Sequence, residues 1–181
     1  MRRIGVISIP VVALLMLLGA CEEEDIEERL PKEMPKIALE KFNLTETRSG
    51  QKLWTLSADR ANVYEEIIKA DQVTVRFYDD NEAESSVLNA RRGELNTRTH
   101  NIFVAESVVV ITSDSTRLYT DSLFWLNDSG RILTDAQVVI RKGDGTVIEG
   151  KGLRTDPRLS RIEIVGETRG VSPVVLPDIR K

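Results

Sequence analysis

The chain has 181 residues, 41% of them hydrophobic and only 5% aromatic, enough for one domain with a modest core. Its formal net charge of −4 argues against nucleic acid as a partner, because a phosphate-binding surface is normally basic. A single cysteine excludes an internal disulfide and a cysteine-built zinc site.

Met1-Arg2-Arg3 is a positively charged start, and Ile4 to Leu18 is an apolar run interrupted by Pro10. Leu18-Gly19-Ala20 then places small residues just before Cys21, which is the architecture of a secretory signal. Leu-Gly-Ala-Cys also resembles the bacterial lipobox. That resemblance implies a diacylglyceryl group on the Cys21 thiol, cleavage before it and acylation of the new amine, so residues 1–20 are a lipoprotein signal peptide. Cys21 is then the lipidation site, and several acyl chains (palmitate among them) hold where one would not. An uncleaved anchor is the alternative, but the apolar run is shorter than the roughly 20 residues a bilayer needs. Residues 21–36 read as an acidic flexible tether, opened by Glu22, Glu23, Glu24 and Asp25 and carrying Pro31 and Pro35. Glu22, directly after the cysteine, leaves sorting between inner and outer membrane open.

From Ile37 the pattern changes to short apolar–polar alternation: LWTLSA, VTVRFY, IFVAESVVVI, LYTDSLFWL, VVIRK, TVIEGKGL and RIEIV. These runs are rich in Val, Ile, Thr and aromatics and suit half-buried strands. Arg48-Ser49-Gly50, Asp79-Asp80-Asn81, Asn127-Asp128-Ser129-Gly130 and Gly143-Asp144-Gly145 separate them with turn chemistry. LSADRANVYEEIIKADQV permits a helix over 58–70, since Ala, Glu and Lys favour one. A weak repeat favours two strands with a turn near Glu65-Glu66 instead. SADRANVY from Ser57, NARRGELN from Asn89, TDSLFWL from Thr120 and EGKGLRT from Glu149 recur at roughly 30 residues, each followed by an apolar arm. The expected fold is all-β, an antiparallel sandwich or open barrel over residues 37–168, with 169–181 as a C-terminal tail.

Alternation assigns faces. Trp54, Leu56 and Ala58 share one side against Thr55 and Ser57; Val73, Val75 and Phe77 share one against Thr74 and Arg76. Leu88 with Ala90, Val108 with Val110, Leu123 with Trp125, and Val138 with Ile140 continue that side. Two uses are open to it: a filled core, or the lining of an apolar groove.

The ordered series GQKLWTLSADRA, VTVRFYD, LNARRGEL, LYTDSLFWL and EGKGLRTD is similar to the LptC family, the periplasmic component of the lipopolysaccharide export ABC transporter. The likeness covers about Ile37 to Gly166 and rests on order and spacing. It implies a twisted open β-jellyroll of two antiparallel sheets with acyl chains in an apolar groove. It implies as partners lipopolysaccharide, the jellyroll of an LptF/LptG-like inner-membrane transporter, and an LptA-like periplasmic protein that receives the lipid. The lipid-groove candidates are Trp54, Leu56, Val73, Val75, Phe77, Leu88, Val108, Val110, Leu123, Trp125, Val138 and Ile140. The partner edge is expected near Arg161 to Val165, at Ile162 and Ile164. Location follows as the cell envelope, at the periplasmic face of the inner membrane. Many members carry a membrane-spanning helix, which the lipobox would here replace.

Catalysis is not expected. His100 is the only histidine, and no nucleophile motif, phosphate loop or dinucleotide fingerprint accompanies it. Asp79 to Glu82 lacks the spacing of a calcium loop and reads as a solvated turn. VSPVVLPDI, cut by Pro173 and Pro177, caps the last edge strand, hangs free or docks a partner. A rival to lipid transfer is a structural or assembly lipoprotein that uses the same edges for protein contacts alone and has a filled interior.

Overall fold

The computed structural model describes residues 34–171. Cys21, the signal segment and most of the acidic tether lie outside the described residues, as does the chain from residue 172. Ten strands account for most of the described fold. They are β1 (Ile37–Arg48), β2 (Gln51–Val63), β3 (Ile67–Tyr78), β4 (Glu84–Asn96), β5 (Ile102–Thr112), β6 (Arg117–Leu126), β7 (Arg131–Arg141), β8 (Val147–Thr155), β9 (Glu163–Ile164) and β10 (Thr168–Val171). The stretch open to a helical reading is β2, a turn at Tyr64–Glu66, and β3.

The first eight strands form an antiparallel meander in which each pairs with its sequence neighbours. At the far end β9 and β10 both pair with β8, β9 at Leu153–Arg154 and β10 at Val147–Gly150. The all-β, jellyroll-like expectation is met in one respect differently: the two layers are halves of a single hydrogen-bonded sheet. Among the described residues the outer edges of β1 and of β9–β10 have no strand partner, so the sheet is open.

One sheet makes two layers because its strands share a bend. Inward residues normally recur every second position, but here the period slips once per strand. Buried Ala58 is followed by Ala61 in β2, Ala70 by Val73 in β3, Ala90 by Gly93 in β4, Val104 by Val108 in β5, and Thr120 by Leu123 in β6. The ladders break register nearby, between Asn89 and Arg92, Ala105 and Val108, Thr120 and Phe124, and Thr134 and Gln137. Such bulges bend and twist a strand. Several are marked by left-handed backbone, at Lys41 (φ 52°), Gln72 (φ 54°), Glu106 (φ 68°), Ser107 (φ 59°) and Gly152 (φ 75°). The polar residues of the slip, Asp59-Arg60, Arg91-Arg92 and Glu106-Ser107, point outward. Small residues sit inside it, where side chains converge. A Cβ on Gly93 would lie 2.8 Å from the Val73 side chain. The roughly 30-residue repeat is this bend, met once per hairpin on β2, β4, β6 and β8.

The same crowding governs the C-terminal edge. A Cβ on Gly150 would lie 2.5 Å from Ile164 Cγ2 and 3.1 Å from the Glu167 carbonyl. Glycine there lets the segment after β8 lie against it. Val165 N–H donates to the Gly152 carbonyl (3.1 Å) and Gly166 N–H to that of Lys151 (2.8 Å), joining β9 to β10 along one edge. Pairing thus runs past residue 168, to Val171.

Carboxylates and amides hold the turns. Asp79 accepts the N–H groups of Asn81 and Ala83, both at 2.9 Å, so Asp79–Glu82 is a turn. The Thr112 hydroxyl, and then the Thr116 N–H at 3.0 Å, hold the Asp114 carboxyl below the ordinary carboxylate range. The Thr146 N–H does the same for Asp144 from 2.8 Å. At Asp156 burial acts upward, but the Ser160 hydroxyl and the N–H groups of Ser160, Arg158 and Arg161 outweigh it, and its carboxyl also sits low.

Two outcomes follow. Gly150→Ala is expected to cost about 1–3 kcal/mol through overpacking and to expose the C-terminal edge to protease. Gly170→Ala, whose Cβ would meet only the Val147 carbonyl at 3.8 Å, should leave the urea midpoint unchanged. Because these aspartates titrate lower folded than unfolded, their contribution is complete above the ordinary value of 3.8 and is lost as pH falls through the folded value. The urea midpoint should therefore drop below about pH 4, and Asp114→Asn should flatten part of that drop.

Candidate functional site

The bend brings all twelve groove candidates to one concave face. They come from six strands, β2 to β7, and join one buried cluster in which Trp54, Val75, Val110, Leu123 and Ile140 have 0% exposure and Trp125, the most exposed of the twelve, 6%. The halves of the sheet meet where the Phe77 and Trp125 rings pack edge to face, centroids 4.9 Å apart. Such pairs add about 0.5–1.5 kcal/mol beyond their buried area. Alternation alone put these residues on one side; the structure adds that this side is closed on itself.

The apolar face does not stop at the closed cluster. Phe42 and Leu44 of β1, Leu53, Val63, Ile148, Ile162 and Ile164 pack against it while partly exposed. Leu39 pairs with buried Ala61 and Ile37 with Val63, so both face the same side, yet they are 37% and 53% exposed. The concave surface therefore emerges at its β1 margin. The β1 residues were legible as Ile37/Leu39 followed by Phe42/Leu44, but the slip at Lys41 breaks the alternation and hides the strand. At the other margin Ile162 precedes β9, and Ile164 pairs with Leu153 and leans over Gly150. Of the expected edge run Arg161 to Val165, only Glu163–Ile164 is strand; β10 supplies the rest of that edge.

Polar groups gather where the β6–β7 turn reaches the β1–β2 hairpin. Asn127 is buried and bridges three elements. Its side-chain oxygen accepts from Trp54 Nε1 (3.0 Å), its N–H donates to Asn101 Oδ1 (2.9 Å), and its carbonyl accepts from Arg48 (3.3 Å). Nearby, His100 Nδ1 lies 3.0 Å from Glu46 Oε1. Asn127 stood out in sequence only as a turn residue, and its burial depends on where the turn lands. Trp125 Nε1 and Ser86 Oγ are buried without a hydrogen-bond partner among the described residues.

A cavity of about 230 Å³ opens at this end. Phe77, Trp125, Leu53 and Asn127 line its inner part, and Arg48, Asp79, Asp80, Asp156 and Arg158 its rim. On the outside of the bend, Arg60–Asp71 (3.3 Å) and Arg92–Glu106 (3.1 Å) pair across the exposed polar slip. No described helix is long and apolar enough to cross a membrane.

Asn127→Ala is expected to lower stability by about 1–3 kcal/mol, because it leaves the Trp54 N–H buried and unpaired. Asn81→Ala, on an exposed turn, should be near neutral; urea unfolding followed by tryptophan emission checks both.

Residues 6–172 match the family model described as lipopolysaccharide-assembly, LptC-related. No curated protein matches the chain.

Proposed function

The chain belongs to the LptC-related lipopolysaccharide-assembly family, and from that premise we propose that its concave apolar face carries lipopolysaccharide from the inner-membrane ABC transporter to an LptA-like periplasmic protein. Membership implies a role in lipopolysaccharide transport at the periplasmic side of the inner membrane. The finer assignment is supported by one observation above all. The inward face is apolar from β1 to β9 and surfaces at both unpaired margins, through Ile37 and Leu39 at one and Ile162 and Ile164 at the other.

The chemistry asks for such a face. Each acyl methylene left in water costs about 0.8 kcal/mol, so a lipid with several chains must stay shielded throughout its path. Edge strands with free backbone groups can be extended by a partner's strand, which would align one inner face with the next. In this reading the β1 edge meets the LptF/LptG-like jellyroll, the β9–β10 edge meets the LptA-like protein, and lipidated Cys21 tethers the whole to the membrane. The residues carry a passage, and the transporter's ATPase supplies the work.

The filled interior favours a second reading, in which the domain is an assembly scaffold acting only through its edges. Photocrosslinking in cells separates the two. A photoreactive residue at Val75, inward and 0% exposed, is expected to capture lipopolysaccharide. One at Thr74, which faces the other side and donates to Asn89 Oδ1 (2.9 Å), is not. With unchanged circular dichroism and membrane fractionation as controls, adducts at neither position would favour the scaffold.

A further inference from the structure

The outer face of the sheet carries a row of side chains that neither the core nor the turns use. Successive residues of a strand alternate faces, so the residues beside buried Leu118 and Ile140 point outward. Two of them, Arg117 and Arg141, lie directly opposite each other on β6 and β7. Both are exposed, and neither makes a hydrogen bond or ion pair among the described residues. Like charges set opposite each other on paired strands repel, so the pair asks for an anion. The carboxylates of Asp114 and Asp144, in the turns that lead into β6 and out of β7, are already held by Thr112, Thr116 and Thr146.

The row says what kind of anion fits, because both flanks of the arginines are apolar. Arg117 is paired with Ile111 and Ile111 with Val87; Arg141 is paired with Val147 and Val147 with Val171. Ile111 is 38% exposed and Val171 73%. In the next row Val109, Tyr119 and Val139 lie side by side, each half-buried. Adjacent guanidinium groups suit a carboxylate, which they hold by charged hydrogen bonds. A small free anion would leave the flanks bare, whereas a carboxylate set among apolar side chains covers them as well.

The chain itself carries a segment of this composition, and carries it within reach. β10 ends at Val171, in the arginine row and two strand spacings from Arg141, roughly 10 Å. Beyond it come Val174, Val175 and Leu176, then Asp178, then Ile179. The seven residues Ser172 to Asp178 can span up to about 23 Å, so the carboxylate reaches the arginines even after a reversal at Ser172-Pro173. We propose that the C-terminal segment, residues 172–181, docks on the outer face of its own sheet, with Asp178 between Arg117 and Arg141 and its apolar residues over Val147, Val139 and Tyr119. Docked there, it straps β10 and β8 to β7 from outside and leaves the free backbone edge of β10 open. The proposal stands apart from the transport reading, since it uses no residue of the apolar interior.

The test uses the purified full chain with a photoreactive residue at Tyr119. Light is expected to join that position to the segment 172–181 of the same chain, as located by mass spectrometry on a mixture of isotope-labelled and unlabelled chains. A photoreactive residue at Ser57, in the same outer row but on β2, should give no such adduct. Arg141→Glu and Asp178→Arg should each cut the Tyr119 crosslink several-fold without lowering the thermal midpoint, and the two together should restore most of it. As a second measurement that needs no probe in the sheet, truncation after Val171 should raise the reactivity of Arg117 and Arg141 toward phenylglyoxal several-fold. Arg76, paired with Glu84 at 3.3 Å, should stay unchanged. An adduct joining labelled to unlabelled chains would give the face to a second copy and overturn the proposal. Absent tail adducts, unchanged arginine reactivity after truncation, or a tail crosslink indifferent to both substitutions would each overturn it too.

Discussion

The fold depends on keeping one face of a sheet apolar while every long strand turns a corner. Each bulge adds residues at the corner, and an apolar pattern that ran on through a single added residue would come out on the outer face of the second layer. The pattern instead skips ahead there, by three positions from Ala58 to Ala61 and by four from Val104 to Val108, and both members of each pair face the same interior. The rest follows from that slip. Charged residues occupy the outside of the corner, small residues the inside, and the halves of the sheet close on each other through Phe77 and Trp125. The bend must fall at matching places on neighbouring strands, or the ladder between them would not continue.

Much of this was legible, and what was not has a common cause. Alternation placed Trp54, Leu56, Val73, Val75, Phe77, Val108 and Val110 on one face because each run lies within a single half of its strand. The repeat located the hairpins, and it ruled for two strands around Glu65 where propensity alone allowed a helix. Where the slip fell inside a short pattern, reading failed. Ile37, Leu39, Phe42 and Leu44 look like a broken alternation until Lys41 is recognised as the residue that resets it. Whether the layers are two sheets or one was also beyond the pattern, since alternation reports faces and says nothing of hydrogen-bond continuity. Asn127 shows a further limit. Its role depends on Trp54, 73 positions away in sequence, arriving at the same place.

The C-terminal edge obeys the same rule with different means. β9 and β10 together form a last strand that bends between Ile164 and Thr168, beside Gly150 and Gly152 of β8. Elsewhere the corner is made by polar bulges flanked by alanine. Here two glycines allow the backbone to approach so closely that a methyl group would collide with Ile164. An edge made this way stays in register with the sheet and still offers its far side for pairing.

A closed interior and a lipid passage are compatible because the two layers are held in different ways. Within each half, strands are joined by a ladder that survives any change in the angle at the corner. Between halves, contact is mainly side chain on side chain, with few directed bonds, the Trp54–Asn127 pair among them. Parting the layers would therefore expose apolar surface without breaking the sheet, at a cost of about 25 cal/mol per Å². An acyl chain entering the gap covers that same surface and buries its own. The net gain is smaller than for a preformed groove, because part of it repays the lost contacts between layers. On the proposed transport reading a weaker hold is the useful one for a module that has to release what it receives, because the layers would close as the lipid left and recover that contact.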